Sequence, residues 1–147
     1  MIKLIASDLD GTLIGHDFRF RPRTLRALEA ARAAGIDIVF VTGRPSRWLT
    51  PLREQTDFDS YAICSNGAVV YHLGANEVEE VNGADPAVIA RAHELLEPMF
   101  PDATYTLETV DTVYIQGDVY KRQVVLCTLP GAGIPPIRFH MVESIPE

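Results

Sequence analysis

Cysteine is scarce in this sequence. Among 147 residues only Cys64 and Cys127 occur, and nothing in their spacing matches a metal-binding pattern. A small fold stapled by disulfides is therefore excluded. Both cysteines sit in apolar stretches, as in a protein kept reduced in the cytoplasm, although a bridge between them stays open at this level. Long apolar runs are also missing. The stretch Ile36-Asp37-Ile38-Val39-Phe40-Val41 falls far short of the ~20 residues a membrane-spanning helix needs. The opening Met1-Ile2-Lys3-Leu4-Ile5-Ala6-Ser7-Asp8 has no signal-peptide layout, because its apolar run stops at an acid. It reads as a buried strand. Positive charge is in deficit: 13 Lys and Arg stand against 20 Asp and Glu, for a net −7. Without a basic cluster, nucleic acid is a poor candidate partner, and no membrane partner is expected. Internal repeats and low-complexity stretches are absent.

What is present is an ordinary globular composition, 47% hydrophobic and 22% charged. That excludes a disordered tail and a collagen-like repeat. The length allows one domain, or one small domain and part of another. Residues 3–7 form a short apolar strand. Residues 22–34 form a helix, with Pro22 in its first turn, Leu25, Leu28 and Ala31 as its apolar stripe, and Gly35 as its stop. Residues 36–41 form a strand buried on both faces. A second helix is expected over 45–55, kinked or broken at Pro51, and a third strand over 61–64. Alternation of this kind predicts an α/β fold with a parallel sheet.

Beyond Ala68 the pattern changes. Residues 68–71 and 77–81 read as a hairpin. Asp85 caps a helix that Pro86 opens and that runs to Glu97, with Val88, Ile89, Ala92, Leu95 and Leu96 as its apolar face. Strands are expected over 104–108 and 112–116. A domain boundary is expected near residues 82–84.

The chemistry-bearing residues fall in three loops, each after the carboxyl end of a predicted parallel strand, where open α/β sheets bind ligands. The first is Asp8-Leu9-Asp10-Gly11-Thr12. Carboxylates two apart on extended chain point the same way, so one can attack as a nucleophile while the other carries protons. Like charges this close are expected to push one pKa upward. Gly11 permits a turn with amides toward an anion. An acidic turn accounts for Asp10-Gly11 but leaves the acid at the strand end unexplained. The second loop, Thr42-Gly43-Arg44, can cradle a phosphate at a helix entrance; alone it reads as a cap with a solvated Arg. The third, Ser65-Asn66-Gly67-Ala68, alone reads as an Asn-Gly turn. His16, His72, His93 and His140 are scattered, Glu77, Glu79 and Glu80 read as strand-face charges, and Trp48 reads as a packing residue.

Together the three loops resemble the haloacid dehalogenase-like (HAD) phosphatase superfamily. Its strand–DxDGT motif is matched by Ile5-Ala6-Ser7-Asp8-Leu9-Asp10-Gly11-Thr12-Leu13, and its second motif by Val41-Thr42-Gly43-Arg44. The pairing with Ser65-Asn66-Gly67-Ala68, a hairpin and an α+β insert looks like the Cof-type, class IIB subgroup. The resemblance covers residues 1 to about 116. It implies a partial Rossmann-like core over residues 1–82 and the start of an α+β C2-type cap over 83–117. It further implies an Asp8 nucleophile that forms an aspartyl-phosphate, with Asp10 as acid and base. Mg²⁺ would sit on the Asp8 carboxylate and the Asp10 main-chain oxygen. Thr42 would hydrogen-bond the phosphoryl group. Gly11, Thr12, Gly43 and Asn66 would shape the phosphate site, with Arg44 and Arg47 as candidate substrate contacts. Arg47 also fits a solvated helix face. The expected activity is a Mg²⁺-dependent phosphomonoester hydrolase acting on small phosphorylated metabolites such as sugar phosphates. A phosphomutase of the same fold and a non-catalytic phosphate-binding fragment are the alternatives.

The sequence departs from that pattern downstream. The family's later Lys and its acidic GDxxxD-like loop have no match; Gly117-Asp118 is followed by Val119-Tyr120-Lys121-Arg122 with no second acid. Residues 118–123 translate GATGTGTATAAGAGACAG, which resembles a transposon end used in building sequencing libraries. Residues 118–147 are therefore expected to be an irregular tail, a scar over 118–123 followed by foreign, frame-shifted or rejoined sequence; a loop and irregular strand of the cap is the alternative. In the family architecture two later strands cover the outer side of the first. Without them residues 3–7 would form an exposed apolar edge prone to aggregation.

Overall fold

The computed structural model describes residues 1–116 in full and, by backbone alone, residues 123–129 and 140–142. The chain divides into two compact units, Met1–Val81 and Asn82–Glu147. No helix among the described residues is long and apolar enough to cross a membrane.

The first unit is built on a five-stranded sheet. Its strands are β1 (Leu4–Asp8), β2 (Asp37–Val41), β3 (Tyr61–Cys64), β4 (Val69–His72) and β5 (Glu77–Val81), in that spatial order. The first three run parallel. The last two are antiparallel hairpin strands. Between β1 and β2 lies α1 (Pro22–Ala33), which Pro22 opens. It ends where Gly35 enters the left-handed region at φ 73. The Gly35 amide then donates to Arg32 O and the Ile36 amide to Ala31 O, a Schellman closure that satisfies the last carbonyls. The helix expected over 45–55 is instead one turn of 3-10 helix, Ser46–Leu49, and a four-residue α2 (Thr50–Arg53). Pro51 interrupts it, since it lacks the amide that would continue the helical hydrogen-bond ladder. The core gathers on β2 and its neighbours: Phe40, Leu49, Leu52 and Ala62 are all but inaccessible. Phe40 stacks on Phe58 at 6.2 Å and meets Phe20 at a tilt at 5.9 Å.

β1 departs from the buried strand that its composition suggests. Leu4 is 52% and Ile5 36% exposed. The reason is position. β1 is the last strand of the sheet, bonded to β2 on one edge and to nothing described on the other. Among the described residues this is an exposed apolar edge, as expected over residues 3–7.

The second unit holds α3 (Pro86–Leu96), β6 (Thr104–Thr109), β7 (Val113–Gln116), β8 (Gln123–Leu129) and β9 (His140–Val142). The four strands form one sheet in the order β8-β6-β7-β9. Asp85 caps α3 by accepting the Ala87 amide at 2.7 Å. The helix buries a narrower face than expected. Ile89 packs with Tyr105 and Leu107, and Leu96 lies against them, while Val88 is 62% and Leu95 53% exposed. Of the face read in sequence, Ile89 is buried and Ala92 and Leu96 are half-buried, while Val88 and Leu95 face out and His93 takes an inward place. His93 is buried edge-on to Tyr105 and hydrogen-bonded to Gln116. The tail expected to be irregular contains β8, which pairs with β6 in parallel. The run Val124-Val125-Leu126-Cys127 has the β-branched, apolar character that such pairing favours. Residues 118–122 of the expected scar lie outside the described residues.

Candidate active site

The three loops read from sequence all belong to the first unit, at the carboxyl ends of β1, β2 and β3. After β1 the chain turns tightly on Leu9. Its side chain is fully buried, and its carbonyl accepts the amides of Thr12, Leu13 and Ile14. Gly11 makes the turn at φ 73, as expected. Its amide, however, donates to Ile14 O at 3.0 Å, so the turn itself consumes amides expected to face an anion. The buried Leu9 leaves Asp8 and Asp10 on the outside. Thr12 Oγ1 donates to Asp8 Oδ2 at 2.8 Å. Asp8 Oδ1 has no hydrogen bond among the described residues. The threonine thus orients the carboxylate and leaves one oxygen for other chemistry.

Asp10 is held differently. Arg44 Nε donates to its Oδ1 and Oδ2 at 2.9 and 2.8 Å, and Arg44 Nη2 to Oδ1 at 2.6 Å. Thr42 Oγ1, at the end of β2, donates to Asp10 Oδ2 at 3.4 Å and accepts the Arg44 amide at 3.1 Å. The Arg44 hydrogen bonds hold the Asp10 carboxyl below its ordinary value. Partial burial works against them, and the charge of Arg44 and the Thr42 hydroxyl add to the lowering. This corrects the expected upward push on the acid/base carboxyl: a guanidinium offsets the negative charge of its neighbour. Arg44, read as a substrate contact, has Asp10 as its partner.

The third loop locks onto the second. The Ser65 amide donates to Arg44 O at 2.9 Å and the Asn66 amide to Thr42 O at 3.3 Å. A Cβ on Gly43 would come 3.0 Å from Asn66 Oδ1, so glycine is what lets these loops approach. Ser65 and Asn66 both adopt positive φ, 50° and 56°. Asn tolerates that region; Ser does so at a cost. The loops thus join Asp10, Thr42, Gly43, Arg44 and Asn66, while Asp8 is tied to Thr12.

Other residues fall elsewhere. Trp48, read as packing, is 44% exposed, with the guanidiniums of Arg44 and Arg47 about 6 Å from its ring, at 5.9 and 6.0 Å. His72 is bonded to Asp59 at 2.7 Å, away from the loops. Cys64 is free and buried, and burial pushes its thiol up to about 12. Glu77, Glu79 and Glu80 are exposed as read.

Two contributors escaped the sequence analysis. Phe18 lays its ring 3.5 Å from the Arg44 guanidinium carbon. Gln55 donates to Phe18 O and accepts the Phe20 amide, bracing the β1–α1 connection. The only available signal was an aromatic residue in the polar run His16-Asp17-Phe18-Arg19.

No three His, Cys, Asp or Glu side chains come together as metal ligands among the described residues. The oxygens available at Asp8 and Asp10 are hard donors suited to Mg²⁺, but they fill only part of an octahedral shell.

A model of the haloacid dehalogenase-like hydrolase family matches residues 5–127. The chain belongs to that family. It is 33% identical over 149 residues to the pyridoxal phosphate phosphatase YbhA of Escherichia coli (strain K12), an alignment covering 99% of this chain and 53% of that one. Among solved structures it is similar to a HAD phosphatase of Bacteroides thetaiotaomicron. That match has TM-score 0.64 and 29% identity, and covers 78% of this chain and 41% of the other. A HAD subclass IIB sugar phosphatase matches at TM-score 0.61 and 26% identity, covering 77% and 43%. The likeness to class IIB HAD phosphatases carried by the three loops is thereby borne out, as is the α/β fold. The chain spans about half the length of the curated relatives it matches.

Proposed function

We propose that this chain carries the nucleophile-bearing part of a HAD phosphomonoester hydrolase that acts on small phosphorylated metabolites. The observation behind the reading is the division of labour between the two carboxylates. Asp8 is oriented by Thr12 with one oxygen free, and Asp10 is gripped by Arg44 and Thr42.

In the proposed reaction an Asp8 oxygen attacks phosphorus, and the bond from phosphorus to the ester oxygen breaks. Asp10 delivers a proton to that leaving oxygen. In the second half, Asp10 takes a proton from water as the water oxygen attacks phosphorus. The aspartyl-phosphate then cleaves to phosphate and free Asp8. Asp10 at rest is ionised, which suits the second half; for the first half it must gain a proton that Arg44 opposes. The Asp8 carboxylate and the Asp10 main-chain oxygen would hold Mg²⁺, which supplies charge neutralisation at the phosphoryl oxygens when bound. The Thr42 hydroxyl and the Gly43–Asn66 contact would shape the phosphoryl site. The names of the relatives point to pyridoxal phosphate or sugar phosphates as the substrate class.

The partial metal shell favours a second reading for the chain taken alone, in which it holds phosphate without turnover. Two assays separate these. In the first, residues 1–116 replace the matching segment of the E. coli pyridoxal phosphate phosphatase, and hydrolysis of p-nitrophenyl phosphate with Mg²⁺ is followed. Turnover that Asp8→Asn abolishes is the expected result; undiminished turnover in Asp8→Asn sinks the proposal. In the second, the 147-residue chain alone is expected to stay near background. Robust hydrolysis by a monomer, lost on adding EDTA, would contradict the incomplete-site reading.

A further inference from the structure

We propose that Phe18 is a positioning residue for Asp10, acting through Arg44. The proposal rests on the reading of Asp10 as the acid/base carboxyl. Among the described residues, Phe18 is one of four non-glycine residues with positive φ, at 58°. Two others, Ser65 and Asn66, lie in a site loop. A bulky aromatic in that region is uncommon, and such outliers gather where a site needs a side chain aimed.

The surroundings hold the outlier in place. The Phe18 amide donates to Gly15 O at 3.1 Å. The Gln55 side chain reaches across to donate to Phe18 O at 2.9 Å and to accept the Phe20 amide at 3.1 Å. One amide side chain therefore clamps both sides of Arg19. Phe20 anchors the far end by burial against Phe40.

What this conformation achieves is a stack. The Phe18 ring lies 3.5 Å from the Arg44 guanidinium carbon, within cation–π range and close enough to fix the plane of the group. Arg44 then directs Nε and Nη2 onto Asp10. A planar fork binds a carboxylate well only in the right orientation. Without the ring, the guanidinium can rotate about its long side chain, and Asp10 loses its fixed direction. The ring thus lets the β1–α1 connection set the aim of a carboxyl that sits on the preceding turn.

The test follows the Arg44 Nε–Hε signal by ¹⁵N NMR in the full 147-residue chain, with the backbone amide spectrum as the record of folding. Phe18→Gly accepts the positive φ and lacks the ring; Phe18→Tyr keeps the ring. In Phe18→Gly the Hε proton should exchange with solvent at least about tenfold faster and lose its ring-current shift. Phe18→Tyr should stay within about twofold of the parent. Asp10→Asn should also release the signal, and Asp8→Asn should leave it unchanged. A folded Phe18→Gly chain with the parent's Hε exchange overturns the proposal, and so does a folded Phe18→Tyr chain that behaves like Phe18→Gly. Because Asp8→Asn ends turnover under the proposed function without touching this signal, failure of that function and failure of the positioning role are read separately.

Discussion

β1 and β2 are neighbours of similar composition, paired in parallel from Leu4↔Asp37 to Asp8↔Val41, yet they serve different ends. β2 is an inner strand, with Ile38 4% and Phe40 1% exposed. β1 is an edge strand whose Leu4 and Ile5 face solvent. The two strand ends carry complementary chemistry: β1 ends in the carboxylate Asp8, and β2 runs into the buried hydroxyl of Thr42. The difference teaches that apolar composition makes a strand, but its neighbours decide whether it is buried. Here the strand that ends in Asp8 contributes little to the core, and the strand beside it holds the unit together.

That contrast can be broken or sharpened by substitution. The largest effect is expected at the end of β1. In the chimera of residues 1–116 with the E. coli relative, Asp8→Asn should reduce hydrolysis to background, because an amide cannot form the acyl-phosphate. Asp10→Asn should lower kcat by ~10²–10⁴-fold. Neither should shift the urea midpoint by as much as Phe40→Ala does. A chimera whose stability falls with Asp8→Asn while its turnover survives would reverse the roles assigned to the two strands.

Next in size is the core of β2. Phe40→Ala should cost about 3–5 kcal/mol by denaturant unfolding, the range for truncating a buried aromatic. Leu4→Ala on β1 should stay within about 0.5 kcal/mol, as for an exposed site. Equal losses at the two positions would show that β1 is covered in solution.

Ile5→Lys should leave stability nearly unchanged and reduce self-association in gel filtration, since charge blunts an open edge. If the substitution instead unfolds the chain, the outer side of β1 is not free.

The smallest effect concerns acid. Asp10 sits below its ordinary value in the folded chain because of Arg44. Its ion pair therefore stabilises the fold above the unfolded carboxylate value of about 4, and that stability is lost as pH falls through the lowered folded value. Asp10→Asn should flatten the loss of stability below pH ~4. The side chain is 43% exposed, so the change should be modest. Superimposable pH profiles would remove Asp10 from the acid response.

Much of this molecule was legible one residue at a time. Pro22, Gly35, Asp85 and Pro86 mark helix ends because their backbone and capping requirements are local. Pro51 announced a break, and the structure places it within the first turn of α2. The three loops could be read because a carboxylate at a strand end, or a glycine between polar residues, conflicts with ordinary strand composition. The exposure of β1 followed only from the family comparison, never from Leu4 and Ile5 themselves. The face read on α3 kept Ile89 and Leu96, lost Val88 and Leu95 and gained His93, since periodicity shows that a helix is amphipathic but not how wide a face its neighbours cover.

The sequence by itself determined the alternation of strand and helix, the placing of Asp8, Asp10, Thr42 and Asn66 in loops after strands, and the family. Those properties depend on backbone preference and spacing, which are encoded over a few residues. Tertiary structure alone decided that Arg44 grips Asp10 rather than solvent, that Phe18 stacks on Arg44, and that Gln55 braces the loop bearing it. Each joins residues that are distant in the chain, 34 positions apart for Asp10 and Arg44. Long-range pairs of this kind form because the sheet has already brought the ends of its strands together.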